Sequence, residues 1–91
     1  MNKKALDEIL AVADHMKSIG QDSTVPRNIR FALLEAAGKI ASASEMDVEI
    51  GSAIYRMEDI ANDINMPSHT RTELWNIISS LESVREKLVQ K

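Results

Sequence analysis

The sequence predicts an all-α protein, a four-helix bundle made of two tandem helix–loop–helix repeats, on three observations. The chain repeats itself at an offset of 41 residues, with Pro26 falling on Pro67. Its apolar residues recur at three- and four-residue steps, the period of a helix with one buried face. Its composition suits packed helices better than a sheet, which favours β-branched and aromatic residues and needs many turns: Phe31, Tyr55 and Trp75 are the only aromatics, and there are only three Gly and two Pro.

The repeat is ungapped. Ile9 falls on Ile50, Met16 on Met57, Ile19 on Ile60, Asp22 on Asp63, Pro26 on Pro67, Arg30 on Arg71 and Leu33 on Leu74. Conservative exchanges fill in between, such as Ala13 for Ile54 and Ile40 for Leu81, while Ile29 faces a polar Thr70. Repeat one covers about 3–43 and repeat two about 44–91, in a single domain of 91 residues.

Each element follows from local chemistry. The first helix, over 3–20, carries its stripe as Leu6, Ile9, Leu10, Ala13, Met16 and Ile19. Gly20 to Val25 breaks it, and Pro26 opens the second helix, over 26–42, where a missing N–H has no helical partner to lose. Proline also biases Val25 toward extended geometry, which sharpens the boundary. Ile29, Leu33, Ala36, Ala37 and Ile40 form the second stripe. Ser44 followed by Asp47 resembles a capping box and places the third helix over 45–63, with Ile50, Ile54, Met57, Ile60 and Ala61 apolar. Pro67 opens the fourth, over 67–89, with Leu74, Ile77, Ile78, Leu81, Val84 and Leu88.

Short connections make successive helices antiparallel neighbours. A period near 41 lies in the range of HEAT-like helical repeats, and Ile29–Ile40 resembles the second helix of one, with Ala32, Ala36 and Ala37 permitting close helix approach. Two repeats are fewer than the three or more a solenoid needs. The pair is therefore expected to close into a bundle rather than to have its end faces covered by another copy, and a homodimer is compatible with either outcome.

Composition narrows function by exclusion. There is no cysteine, which removes disulfides and thiolate chemistry and fits a cytoplasmic location. No run of apolar residues is long enough to span a bilayer, and no secretory apolar segment follows the basic start. Net charge is −3, with residues 1–43 at +1 and residues 44–91 at −4, a poor footprint for a nucleic-acid binder. No glycine-rich phosphate loop or nucleophile motif occurs, so the chain is read as not an enzyme and as needing no cofactor. His15 and His69 lack the Glu three residues earlier that a dinuclear bundle site requires; Val12 and Met66 stand there, so no metal is expected.

The duplicated polar residues are the candidate site. Asp22 and Asp63 end the first helix of each repeat, and Arg30 and Arg71 lie early in the next. Their bland reading is a loop lock, an Asp–Arg contact or an Asp accepting backbone N–H groups. Their functional reading is a charged surface for a partner, which Arg27, His69 at a helix start and Trp75 would extend. Trp75 replaces Leu34 of the first repeat and reads as a core-edge residue or an interface anchor.

Two segments carry a family resemblance: Asp22-Ser-Thr-Val-Pro-Arg-Asn-Ile-Arg30, and Met66-Pro-Ser-His-Thr-Arg-Thr-Glu-Leu-Trp-Asn-Ile-Ile-Ser-Ser-Leu-Glu82. With them the chain resembles, over nearly its whole length, an uncharacterised family of small archaeal proteins. The resemblance implies an archaeal source and a compact four-helix structure, and brings no catalytic residue or ligand. Phe31 departs from the basic residue expected after Arg30, which weakens a basic helix face there. The function expected is a non-enzymatic protein–protein interaction module. The alternative is an accessory nucleic-acid binder using Lys17, Arg27, Arg30 and Arg71.

Overall fold

The computed structural model describes residues 3–42 and 46–89. Four helices account for most of them: α1 (Lys3–Gly20), α2 (Arg27–Ser42), α3 (Met46–Ala61) and α4 (Ser68–Val89). Each packs against its two neighbours in a ring, α1 on α2, α2 on α3, α3 on α4 and α4 back on α1. The Cα extents are 40 × 19 × 17 Å. Helix axes lie ~8–10 Å apart, so that cross-section holds two helices in each direction rather than four in a row. The bundle is closed.

The helices begin and end close to where the sequence places them, with small differences that have local causes. Each proline lies one residue outside its helix and supplies the first carbonyl of the ladder. Pro26 O accepts Arg30 N at 3.0 Å and Pro67 O accepts Arg71 N at 3.0 Å. The third helix stops at Ala61 rather than 63, because Asn62 N and Asp63 N reach back three residues, to Asp59 O and Ile60 O, and tighten the last turn. Gln21 N and Asp22 N do the same to Ser18 O and Ile19 O after α1. Ser44, the cap expected for α3, lies outside the described residues.

One core runs through the bundle. Ile9, Met16, Ile29, Leu33, Ile40, Ile50, Met57, Leu74 and Leu81 are fully enclosed, and they are drawn from all four stripes. Val25 and Met66, the residues just before the prolines, are buried too and plug the loop end of the core. Leu6 and Leu10, assigned to the first stripe, are instead 40% and 48% exposed. They stand on the flank of α1, about 70° and 110° around the helix from the Ile9–Met16 line, at ~100° per residue.

Thr70 is the exception inside. It is 0% exposed, and its hydroxyl has no hydrogen-bond partner. The equivalent position in the first repeat is Ile29, also fully buried. A buried hydroxyl left unpaired costs about 1–3 kcal/mol against an apolar group of the same shape. The near-isosteric Thr70→Val is expected to stabilise the protein by about 1 kcal/mol. In a domain of this size that raises the thermal midpoint by about 4–8 °C, readable in a circular-dichroism melt. A drop in midpoint would show that the hydroxyl is satisfied.

Candidate functional site at the loop end

Up–down alternation places the α1–α2 and α3–α4 loops at the same end of the bundle, so the duplicated Asp and Arg residues converge there. Asp22 caps its own loop. Its Oδ1 accepts the Thr24 hydroxyl at 2.7 Å and Thr24 N–H at 2.9 Å, while Val25 N donates to Asp22 O at 3.1 Å. Asp63 repeats the geometry: Oδ1 accepts Asn65 N–H at 2.8 Å, and Met66 N donates to Asp63 O at 3.1 Å. Each aspartate thus folds its loop back so that Val25 or Met66 turns into the core.

The Thr24 hydroxyl, and then the Thr24 N–H, hold the Asp22 carboxyl below its ordinary value of 3.8; the charges of His69 and Arg30 act in the same direction. The His69 influence shows that the two loops are electrostatic neighbours, since His69 belongs to the second repeat.

The arginines do not pair with these carboxylates. Arg71 Nε donates to Ala61 O at 3.0 Å and Nη2 to Asp63 O at 3.0 Å, closing the carbonyls that the end of α3 leaves open. The loop lock is therefore Asp to backbone N–H and Arg to backbone C=O. Arg30 is also half-buried, but its Nε is buried without a hydrogen-bond partner. Nearby, α1 and α2 meet closely: a Cβ on Gly20 would lie 2.8 Å from the Leu34 side chain and 3.3 Å from Arg30 O.

The other candidate residues are on the surface. Arg27 and His69 are exposed on the first turns of α2 and α4, and Trp75 is 44% exposed. Trp75 shares with Leu34 of the first repeat an exposed position on its helix. The sequence reading missed Ile64, which is 91% exposed at the tip of the α3–α4 loop where the first repeat has Ser23. A lone apolar residue between two polar ones carries no periodic signal. His15, by contrast, faces α4, with Nε2 3.5 Å from Glu73 Oε1. Among the described residues no group of three His, Asp or Glu is placed to hold a metal, and no helix is long and apolar enough to cross a membrane.

Two outcomes follow from the lock. Arg71→Met is expected to cost about 2 kcal/mol in urea unfolding, since it leaves two carbonyls without a partly buried charged donor, and Arg30→Met about half of that or less. Equal losses would show that the two copies are locked alike. Because the folded Asp22 pKa is depressed, its stabilising effect is present above 3.8 and is lost as pH falls through the folded value. The stability gap between wild type and Asp22→Asn at pH 7 should therefore close below pH 3.8, and a gap that persists there would exclude the charge as its source.

The architecture recurs in known proteins. The model of the Uncharacterised protein family (UPF0147) matches residues 1–84. A UPF0147 protein of Archaeoglobus fulgidus is 43% identical over 84 residues, covering 92% of this chain and 93% of its own. UPF0147 protein MJ1419 of Methanocaldococcus jannaschii is 43% identical over 86 residues, covering 92% of both chains. A crystal structure of an uncharacterised UPF0147 protein from Thermoplasma acidophilum superposes with a TM-score of 0.76 at 30% identity, covering 91% of this chain and 95% of that one. The crystal structure of the unknown-function protein MMP1188 gives a TM-score of 0.79 at 40% identity, covering 85% and 89%. The homologues are archaeal. This chain belongs to the uncharacterised protein family UPF0147.

Proposed function

We propose that the protein is a non-enzymatic interaction module that docks a protein partner at its loop end. The observation that carries this reading is Ile64. An aliphatic side chain 91% exposed gains nothing from the fold of its own chain. The loop that presents it is held by Asp63 from one side and by Arg71 from the other. Held in this way, the loop loses little conformational entropy on binding, which favours an apolar contact over a merely mobile tip. Trp75 lies two helical turns from the start of α4, and tryptophan is enriched where partners anchor. Arg27 and His69 supply polar groups around this apolar contact, as an interface rim does.

Nucleic-acid binding is the weaker reading. Arg71 is directed into the protein by two hydrogen bonds, which leaves the loop end less basic surface than its arginine count implies. Retention on heparin at low salt with a steep salt dependence would reverse this ranking.

The test is affinity capture from a native lysate of the source archaeon, with wild type and Ile64→Asp as baits. The expected result is one stoichiometric protein that wild type retains and Ile64→Asp loses, while the two baits melt alike. A partner retained equally by both, or none under several salt conditions, would overturn the reading.

A further inference from the structure

A second surface, away from the α3–α4 loop, is built differently. Between α2 and α3 runs a groove of about 240 Å³ with a floor of Ala32, Ala36 and Ala53. Small side chains there leave the two helices unfilled on their outer side, so another helix surface could approach closely. Four charges rim it: Glu35 and Lys39 on α2, Glu49 and Arg56 on α3. Tyr55, 79% exposed, stands beside it and lines an adjoining depression with Ser52 and Arg56. The floor alanines are only 1–7% exposed, so the aromatic surface that a second copy would cover here is that of Tyr55, a residue type enriched at interfaces.

We propose that this groove is the contact face of a homodimer, and that its rim charges set the pairing. The α2 and α3 helices run antiparallel, so height along the groove can be read from sequence distance. Lys39 lies three residues before the end of α2 and Glu49 three after the start of α3, at the same height, about 4.5 Å from the connection end at ~1.5 Å per residue. Glu35 and Arg56 lie further up, toward the other end. A dimer of identical faces has its two-fold axis in the plane of contact. With the axis along the groove, α2 faces α3 of the second copy, so Lys39 meets Glu49 and Glu35 meets Arg56. With the axis across the groove, α2 faces α2, so Lys39 meets Glu35, and Glu49 meets Arg56 across α3. Each helix carries one charge of each sign, so neither arrangement brings like charges together. In the single chain, Lys39 makes a loose pair with Glu35 at 3.7 Å within its own helix, with the two side chains 63% and 46% exposed. They remain available for a second copy.

The full chain is measured by sedimentation and light scattering from about 1 µM to about 1 mM, the range in which modest interfaces report themselves. Wild type is expected to dimerise, and to do so less well as salt rises toward 1 M, where charges are screened. Lys39→Glu sets carboxylate against carboxylate in either arrangement, at two symmetric places, and is expected to weaken the dimer about tenfold or more. Glu49→Lys added to it restores the dimer if the axis runs along the groove, and Glu35→Lys does so if it runs across. Ser52→Trp, on an exposed groove position, is expected to block association, with melts confirming that each variant folds. A wild type that stays monomeric at 1 mM, a Lys39→Glu dimer as tight as wild type, or failure of both second-site changes to rescue would overturn the proposal. Because Ile64 lies on a different surface, Ile64→Asp leaves this dimer intact, so the outcome is independent of the docking test above.

Discussion

A pair of helices cannot bury its own apolar stripe, and the rest of this structure depends on that constraint. In each repeat the two stripes face one another but leave one side open to water. The hydrophobic cost of that open side is removed only by the other repeat, and joining the two produces two new seams, α2 on α3 and α4 on α1. Ile9, Ile29, Ile50 and Leu74 reach zero or near-zero exposure because all four helices surround them at once. Two repeats meet that need by closing on each other in a ring.

The two new seams are finished in different ways. Along α1–α4, residues far apart in sequence meet through charge: Lys87 Nζ donates to Glu8 Oε1 at 2.7 Å and Oε2 at 2.9 Å, and His15 approaches Glu73. These pairs are exposed, and each contributes little stability, but they favour one register of α4 against α1 over sliding alternatives. Both seams carry a groove lined in part by small residues, Ala11, Ser79, Ser80 and Ser83 along α1–α4 and Ala32, Ala36 and Ala53 along α2–α3, but at α2–α3 the charges remain on the rim.

Much of this was legible in the residues. Identities at one ungapped offset predict equal hairpins, and the three- and four-residue spacing names nearly every enclosed side chain. Periodicity gives the direction a residue points, however, and not how far the neighbouring helix extends over it. Leu6 and Leu10 sit on the border of the apolar arc, so their exposure depends on how far α2 reaches across them. Thr70 reads as polar and lies buried because its position, not its chemistry, belongs to the stripe. Of the two contacts expected of the duplicated Asp, the structure has the one to backbone N–H groups and not the one to Arg. What the residues did not show is that Arg71 turns to the carbonyls left open at the end of α3, because those acceptors are backbone groups.

Where the copies agree and where they differ bears on how the loop end works. The agreeing residues, Asp22 with Asp63 and Pro26 with Pro67, act within the chain to turn each loop and start each helix. Arg71 works in the same way, while Arg30, its counterpart, keeps a buried Nε without a partner. The outward positions have diverged: Ser23 against Ile64, Arg27 against Ser68, Asn28 against His69, Leu34 against Trp75. Two loops held in similar geometry therefore present unlike chemistry side by side, one polar and basic at its helix start, the other apolar at its tip. A symmetric pair of sites would call for like residues at these outward positions, so the duplication is better understood as a way of building one rigid, uneven surface. The two halves of that surface cannot exchange places.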